Sequence, residues 1–171
     1  MALVPIVNSG EYYIRNLAFG RIRDDEGALG AKGDSKSDEI KAMTRLADGT
    51  YVLQSKEPVA PANPGGPISE IEKRYYISVE PSATATRWRL QPIFNGSKPI
   101  IYYVIFELPS DNNCPAVGHW ELNSADKKEP VKLNRFPEDE ENKAVPSVYK
   151  PNALWILEPI PGTVPEPPTY Y

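Results

Sequence analysis

Trp88-Arg89-Leu90-Gln91-Pro92-Ile93 and Trp155-Ile156-Leu157-Glu158-Pro159-Ile160 share Trp, Leu, Pro and Ile at matched positions. The two stretches are too far apart for a local motif, and their spacing is that of internal repeats. Gly10-Glu11-Tyr12-Tyr13-Ile14-Arg15-Asn16 is matched by Gly49-Thr50-Tyr51-Val52-Leu53-Gln54-Ser55, with Pro99-Ile100-Ile101-Tyr102-Tyr103-Val104-Ile105 as a third version. Each of these opens a copy. The first copy then closes with the alternating run Ile40-Lys41-Ala42-Met43-Thr44-Arg45-Leu46, in which Ile40 takes the place of Trp. Three repeats follow, at about 10–47, 48–93 and 98–160.

Turn chemistry agrees with these boundaries. Asp48-Gly49 and Asn95-Gly96 supply the positive φ that tight hairpins need, so 40–46 pairs with 50–55 and 87–93 with 99–107. Each hairpin joins the end of one copy to the start of the next. Inner strands are expected at Ala28–Lys32, at Ile68–Ile71 with Tyr75–Val79, and at Gly118–Leu122 with Val131–Asn134. Four strands in each of three copies make an all-β domain, a β-trefoil with pseudo-threefold symmetry spanning residues 1–171, its Tyr and Trp rings meeting in a shared core. Arg21–Gly27, Glu57–Gly66 and Phe136–Pro151 read as loops. Pro58, Pro61 and Pro64 stiffen the second, and a Pro-rich tail follows at 161–171.

A chain of 171 residues can bury a real core as one domain. Its 19 Pro and 11 Gly punctuate many short runs, as an all-β domain with long loops requires. A net charge of −4 without a basic cluster argues against nucleic acid or an anionic membrane as partner. The amino terminus lacks the features of a secretion signal, so a cytoplasmic monomer is expected. With Cys114 the single cysteine, no internal disulfide forms, and the single His119 cannot build a metal site. No cofactor is expected. Nor is an enzyme: no Gly-x-Ser-x-Gly elbow accompanies His119, Gly27–Gly33 lacks the setting of a phosphate loop, and Asp24–Glu26 and Glu138–Glu141 read as solvated acids.

The opening Gly10, Tyr12, Ile14, Arg15 and Asn16, the central Tyr51-Val52-Leu53 with Trp88-x-Leu-x-Pro, and the closing Tyr149-Lys150-Pro151-Asn152-Ala153-Leu154-Trp155-Ile156-Leu157 resemble the mushroom β-trefoil protease inhibitors. The cospin-type serine protease inhibitors are the nearest of these, and the mycocypins (clitocypin and macrocypin types) come next. The resemblance implies inhibition by a stiff loop offered to a protease as a substrate would be, with a role in fungal defence. For a trypsin-like target, which wants Lys or Arg in its primary pocket, Lys143 flanked by Asn142 and Ala144 is the first candidate. Arg23 and Arg21 are the second. The mycocypin alternative, directed at papain-like proteases or at legumain, points to Asn63 in the Pro-rich loop and to Leu29-Gly30. A carbohydrate-binding trefoil is the rival of another class, although Thr86 and Ala153 stand where ricin-type lectins carry the Gln of their Gln-x-Trp triplet.

Overall fold

The computed structural model describes residues 7–25, 28–31, 41–56, 59–69, 74–94, 101–108, 118–125, 129–134 and 150–163. Thirteen strands run in chain order: β1 Gly10–Asn16, β2 Gly20–Asp25, β3 Ala28–Ala31, β4 Lys41–Arg45, β5 Tyr51–Lys56, β6 Val59–Pro61, β7 Asn63–Ser69, β8 Arg74–Ser78, β9 Trp88–Phe94, β10 Ile101–Glu107, β11 His119–Glu121, β12 Lys132–Asn134 and β13 Trp155–Pro159. The helical content of the described residues is confined to the 3-10 turn Pro151–Ala153.

Six strands close a barrel. The antiparallel ladders run β1 to β4, β4 to β5, β5 to β9, β9 to β10, β10 to β13 and β13 back to β1, which leaves the ring without an edge. Alternation decides which residues enter it. In β1 the side chains of Tyr12, Ile14 and Asn16 are buried while Arg15 between them is exposed, the period of two that a strand with one core face demands. Three hairpins, β2–β3, β7–β8 and β11–β12, lie outside the ring and pair with one another. Ala28 is the register partner of Ser78, Lys132 of Tyr76, and Gly30 bridges Pro130.

The ladders also set the alignment of the copies. Tyr51 pairs with Trp88, and Tyr103 with Trp155. In the first copy Tyr12 pairs with Lys41, not with Ile40. The other flank agrees, since Lys41 faces Ser55 as Trp88 faces Glu107 and Trp155 faces Asn16. The expected match of Ile40 to Trp is therefore one residue out, and a buried lysine, 2% exposed, stands where the other copies carry an indole.

Trp88, Trp120 and Trp155 are wholly buried and meet edge to face. The ring centroids are 5.2 Å apart for Trp88 with Trp120 and 5.9 Å for Trp120 with Trp155, geometry worth about 0.5–1.5 kcal/mol per pair beyond area burial. Trp88 donates its indole N–H to the Ala62 carbonyl and Trp155 to that of Trp120. Burial raises the pKa of Tyr12, Tyr51 and Tyr103, Tyr51 and Tyr103 raise that of Tyr12 further, and Tyr51 that of Tyr103; Tyr12 and Tyr51 donate to the Asn8 and Val7 carbonyls.

Two expected loops are partly strands. Arg21–Asp25 belongs to β2, where Ile22 is buried, and 59–69 forms β6 and β7. The β4–β5 hairpin has the expected turn, with Gly49 at φ 84°, and β9 pairs with β10 as expected. Asn95-Gly96, Cys114 and most of Phe136–Pro151 lie outside the described residues.

Candidate functional site

Between the buried Val79 and the buried Trp88 runs the segment Glu80-Pro81-Ser82-Ala83-Thr84-Ala85-Thr86-Arg87. Both ends are held by the core, yet Glu80 to Ala85 and Arg87 are exposed. Its middle is held by one side chain. Asn63, at the start of β7, donates its Nδ2 to the Thr84 carbonyl at 2.9 Å and accepts the Thr86 N–H on Oδ1 at 2.7 Å. The Ser82 hydroxyl accepts the Thr84 N–H, Pro81 fixes its own φ, and the Arg87 carbonyl accepts the Leu108 N–H.

Arg87 also reaches Asp48 at 2.8 Å in the β4–β5 turn. The Asp48 carboxyl is held below the usual carboxylate range, first by the Thr50 hydroxyl and N–H that it accepts and also by the Arg87 guanidinium. The exposed segment is thus held by four bonds at three residues, Thr84 and Thr86 to β7, and Arg87 to both Leu108 and the β4–β5 turn. Restricting a chain before it binds lowers the ordering cost of association, so a segment fixed in this way is suited to recognition.

The expected site residues are dispersed. Lys143, Asn142 and Ala144 lie outside the described residues. Arg21 is not on a loop: it sits in β2, where its guanidinium grips Glu158 through Nε at 3.3 Å and a terminal nitrogen at 3.0 Å and lies 4.1 Å over the Tyr13 ring. Entering a protease pocket would break all three contacts. Arg23 also belongs to β2, its backbone paired with Gly30.

The alternative set is dispersed as well. Leu29 is 1% exposed and belongs to the core. Gly30 lies where β3 approaches the next hairpin so closely that a Cβ would stand 2.9 Å from the Glu129 carbonyl oxygen, which explains glycine there without a binding role. Asn63 is half-buried and spends its carboxamide on the 84–86 backbone.

Among the described residues no group of three or more His, Cys, Asp and Glu could hold a metal ion, and no helix is long and apolar enough to cross a membrane. His119 packs edge-on against Phe106 with centroids 6.2 Å apart. No protein-family model matches the chain, and no curated protein or solved structure is significantly similar to it.

Sequence reading missed the 80–87 segment because Ser, Ala and Thr carry no distinctive chemistry. The available signal was a run without a large apolar residue between Val79 and Trp88, opened by Pro81.

Proposed function

We propose that this protein is a protease inhibitor of β-trefoil fold that acts through a stiff exposed loop, and that it is not an enzyme. A closed six-stranded ring, three mutually paired hairpins, and the recurrence of one register at Tyr12–Lys41, Tyr51–Trp88 and Tyr103–Trp155 support the fold. The observation that carries the function is the Asn63 carboxamide, which ties down two backbone groups of a segment that is otherwise exposed.

A protease binds its substrate as an extended strand through the main chain, and a strand restrained beforehand binds with less loss of entropy. Rigidity also slows turnover, because a cut segment held at both sides of the break is poised to rejoin. A trypsin-directed form of this reading rests on Lys143 or Arg23, since Arg21 is engaged with Glu158. The partner is then a protease, met by a monomer, with neither nucleic acid nor membrane involved.

The experiment is titration of trypsin, chymotrypsin, elastase, subtilisin, papain and legumain with the purified chain, beside a glycan array. Near-stoichiometric loss of activity in at least one protease is expected. Retention on glycans with every protease unaffected would replace this reading by a lectin. Loss of trypsin inhibition in Lys143→Ala, or in the Arg21/Arg23→Ala double variant, would assign the loop to those cations.

A further inference from the structure

Resting on the inhibitor reading, we infer that the 80–87 segment is the reactive loop, that Ala85–Thr86 is the bond it offers, and that its target is a serine protease whose primary pocket accepts only a small side chain.

The direction of the backbone decides the bond. One carboxamide reaches both the Thr84 C=O and the Thr86 N–H because the two groups face the same edge of the chain, as in an extended segment, where successive residues turn their polar groups to opposite edges. Residues 84 and 86 are turned toward Asn63. Ala85, between them, therefore turns its N–H and C=O away from it, whereas at Ala83 the chain bends. Among the described residues none hydrogen-bonds these two groups, so the outward edge at Ala85 is free to pair with an enzyme's main chain.

Ala85 is the residue at the scissile carbonyl. Its C=O is available to an oxyanion hole, and the nitrogen that follows it is the one Asn63 holds. When the enzyme's serine Oγ adds to the Ala85 carbonyl carbon and the bond to the Thr86 nitrogen breaks, the serine proton passes through the enzyme's histidine to that nitrogen. The amine so formed remains beside Asn63 Oδ1. It can then attack the acyl-enzyme carbonyl, return its proton by the same path and restore the peptide, which favours the intact chain. Offering Ala83 instead would leave the leaving nitrogen, that of Thr84, on the Ser82 hydroxyl within the same short segment, with no tether from outside it.

Side-chain size decides the pocket. Ser82, Ala83, Thr84, Ala85 and Thr86 are all small, and Ala85 brings one methyl group to the primary site. A trypsin pocket needs a cation and a chymotrypsin pocket a large ring, whereas a shallow elastase-like pocket is filled by Ala.

The test uses the full chain and its Ala85→Arg variant against elastase and trypsin, with mass spectrometry of the parent after incubation with catalytic elastase. Ala85 is exposed, and unchanged tryptophan fluorescence checks that the variant folds. The expected result is elastase inhibition by the parent with cleavage confined to Ala85–Thr86, at least a hundredfold weaker elastase inhibition by Ala85→Arg, and newly acquired trypsin inhibition. If the parent inhibits a protease but Ala85→Arg inhibits it equally and cleavage falls elsewhere, this inference is wrong while the inhibitor reading stands. If neither protein inhibits any protease, both fall.

Discussion

The Thr86 N–H points at Asn63 Oδ1 across 2.7 Å, joining the segment before β9 to the start of β7 within the second copy. Backbone hydrogen exchange should register that bond. The Thr86 amide is predicted to exchange more slowly than the amides of Ala83 and Ala85, which have no acceptor among the described residues, and to lose its protection in Asn63→Ala. Equal exchange rates at 83, 85 and 86 in the parent would mean that the segment is not pinned.

The three core tryptophans should differ in their response to Phe. Trp88→Phe and Trp155→Phe each strip a buried carbonyl, of Ala62 and Trp120 respectively, of its indole donor. The Trp120 indole N–H has no hydrogen-bond partner among the described residues, so Trp120→Phe removes an unsatisfied donor. Chemical denaturation is expected to find Trp120→Phe the mildest of the three, by the roughly 1–3 kcal/mol that an orphaned buried polar group costs.

Alkali should unfold this protein over a definite window. Burial, and then the neighbouring Tyr51 and Tyr103, push the Tyr12 hydroxyl up to about 12, and burial raises Tyr51 and Tyr103 as well. Between the unfolded value of 10.0 and about 12 the unfolded chain has lost this proton while the folded chain retains it. Unfolding is therefore favoured as pH rises, and the contribution of these tyrosines is whole below pH 10 and lost through pH 12. Denaturation midpoints measured from pH 8 to 12 should fall only above 10, and Tyr12→Phe should flatten the slope.

Arg21→Ala tests whether this residue is a structural or a displayed cation. Partly solvated ion pairs contribute about 0–1 kcal/mol, so a small loss of stability is expected from parting Arg21 and Glu158. Inhibition should be unchanged, as measured by titration against the most strongly inhibited enzyme of the panel.

Much of the fold was legible because it rests on period-two burial and on turn residues. Tyr12 with Ile14, and Tyr51 with Leu53, alternate inward as written, and Gly49 takes the positive φ that its place after Asp48 implies. The exact match of copies was not legible. Ile40 looked like the counterpart of Trp88 by hydrophobicity, whereas register is set by backbone pairing and puts Lys41 there. Strand β2 was hidden because Arg21, Arg23, Asp24 and Asp25 stand beside the buried Ile22 in the sequence. Strand β7 was hidden by Pro64, Gly65, Gly66 and Pro67, which interrupt its register with β8.

The candidate site was less legible than the fold for a physical reason. Charged residues such as Arg21 and Lys143 advertise a chemistry, but a restrained main chain recognises through groups that every residue possesses. What distinguishes Thr84 to Thr86 is a bond from a residue some twenty positions away, and no local pattern encodes it. Asn63 was noticed for its own side chain, although its role lies in what that side chain holds.

The most direct measurement is the inhibition constant of Asn63→Ala against whichever protease the parent blocks, together with the fraction of inhibitor cleaved. Two lost hydrogen bonds of about 0.5–1.5 kcal/mol each amount to roughly ten- to hundredfold weaker inhibition, with the variant consumed as a substrate where the parent persists. Inhibition and resistance to cleavage equal to those of the parent would contradict the claim that an 80–87 segment tethered by Asn63 is what the protease meets.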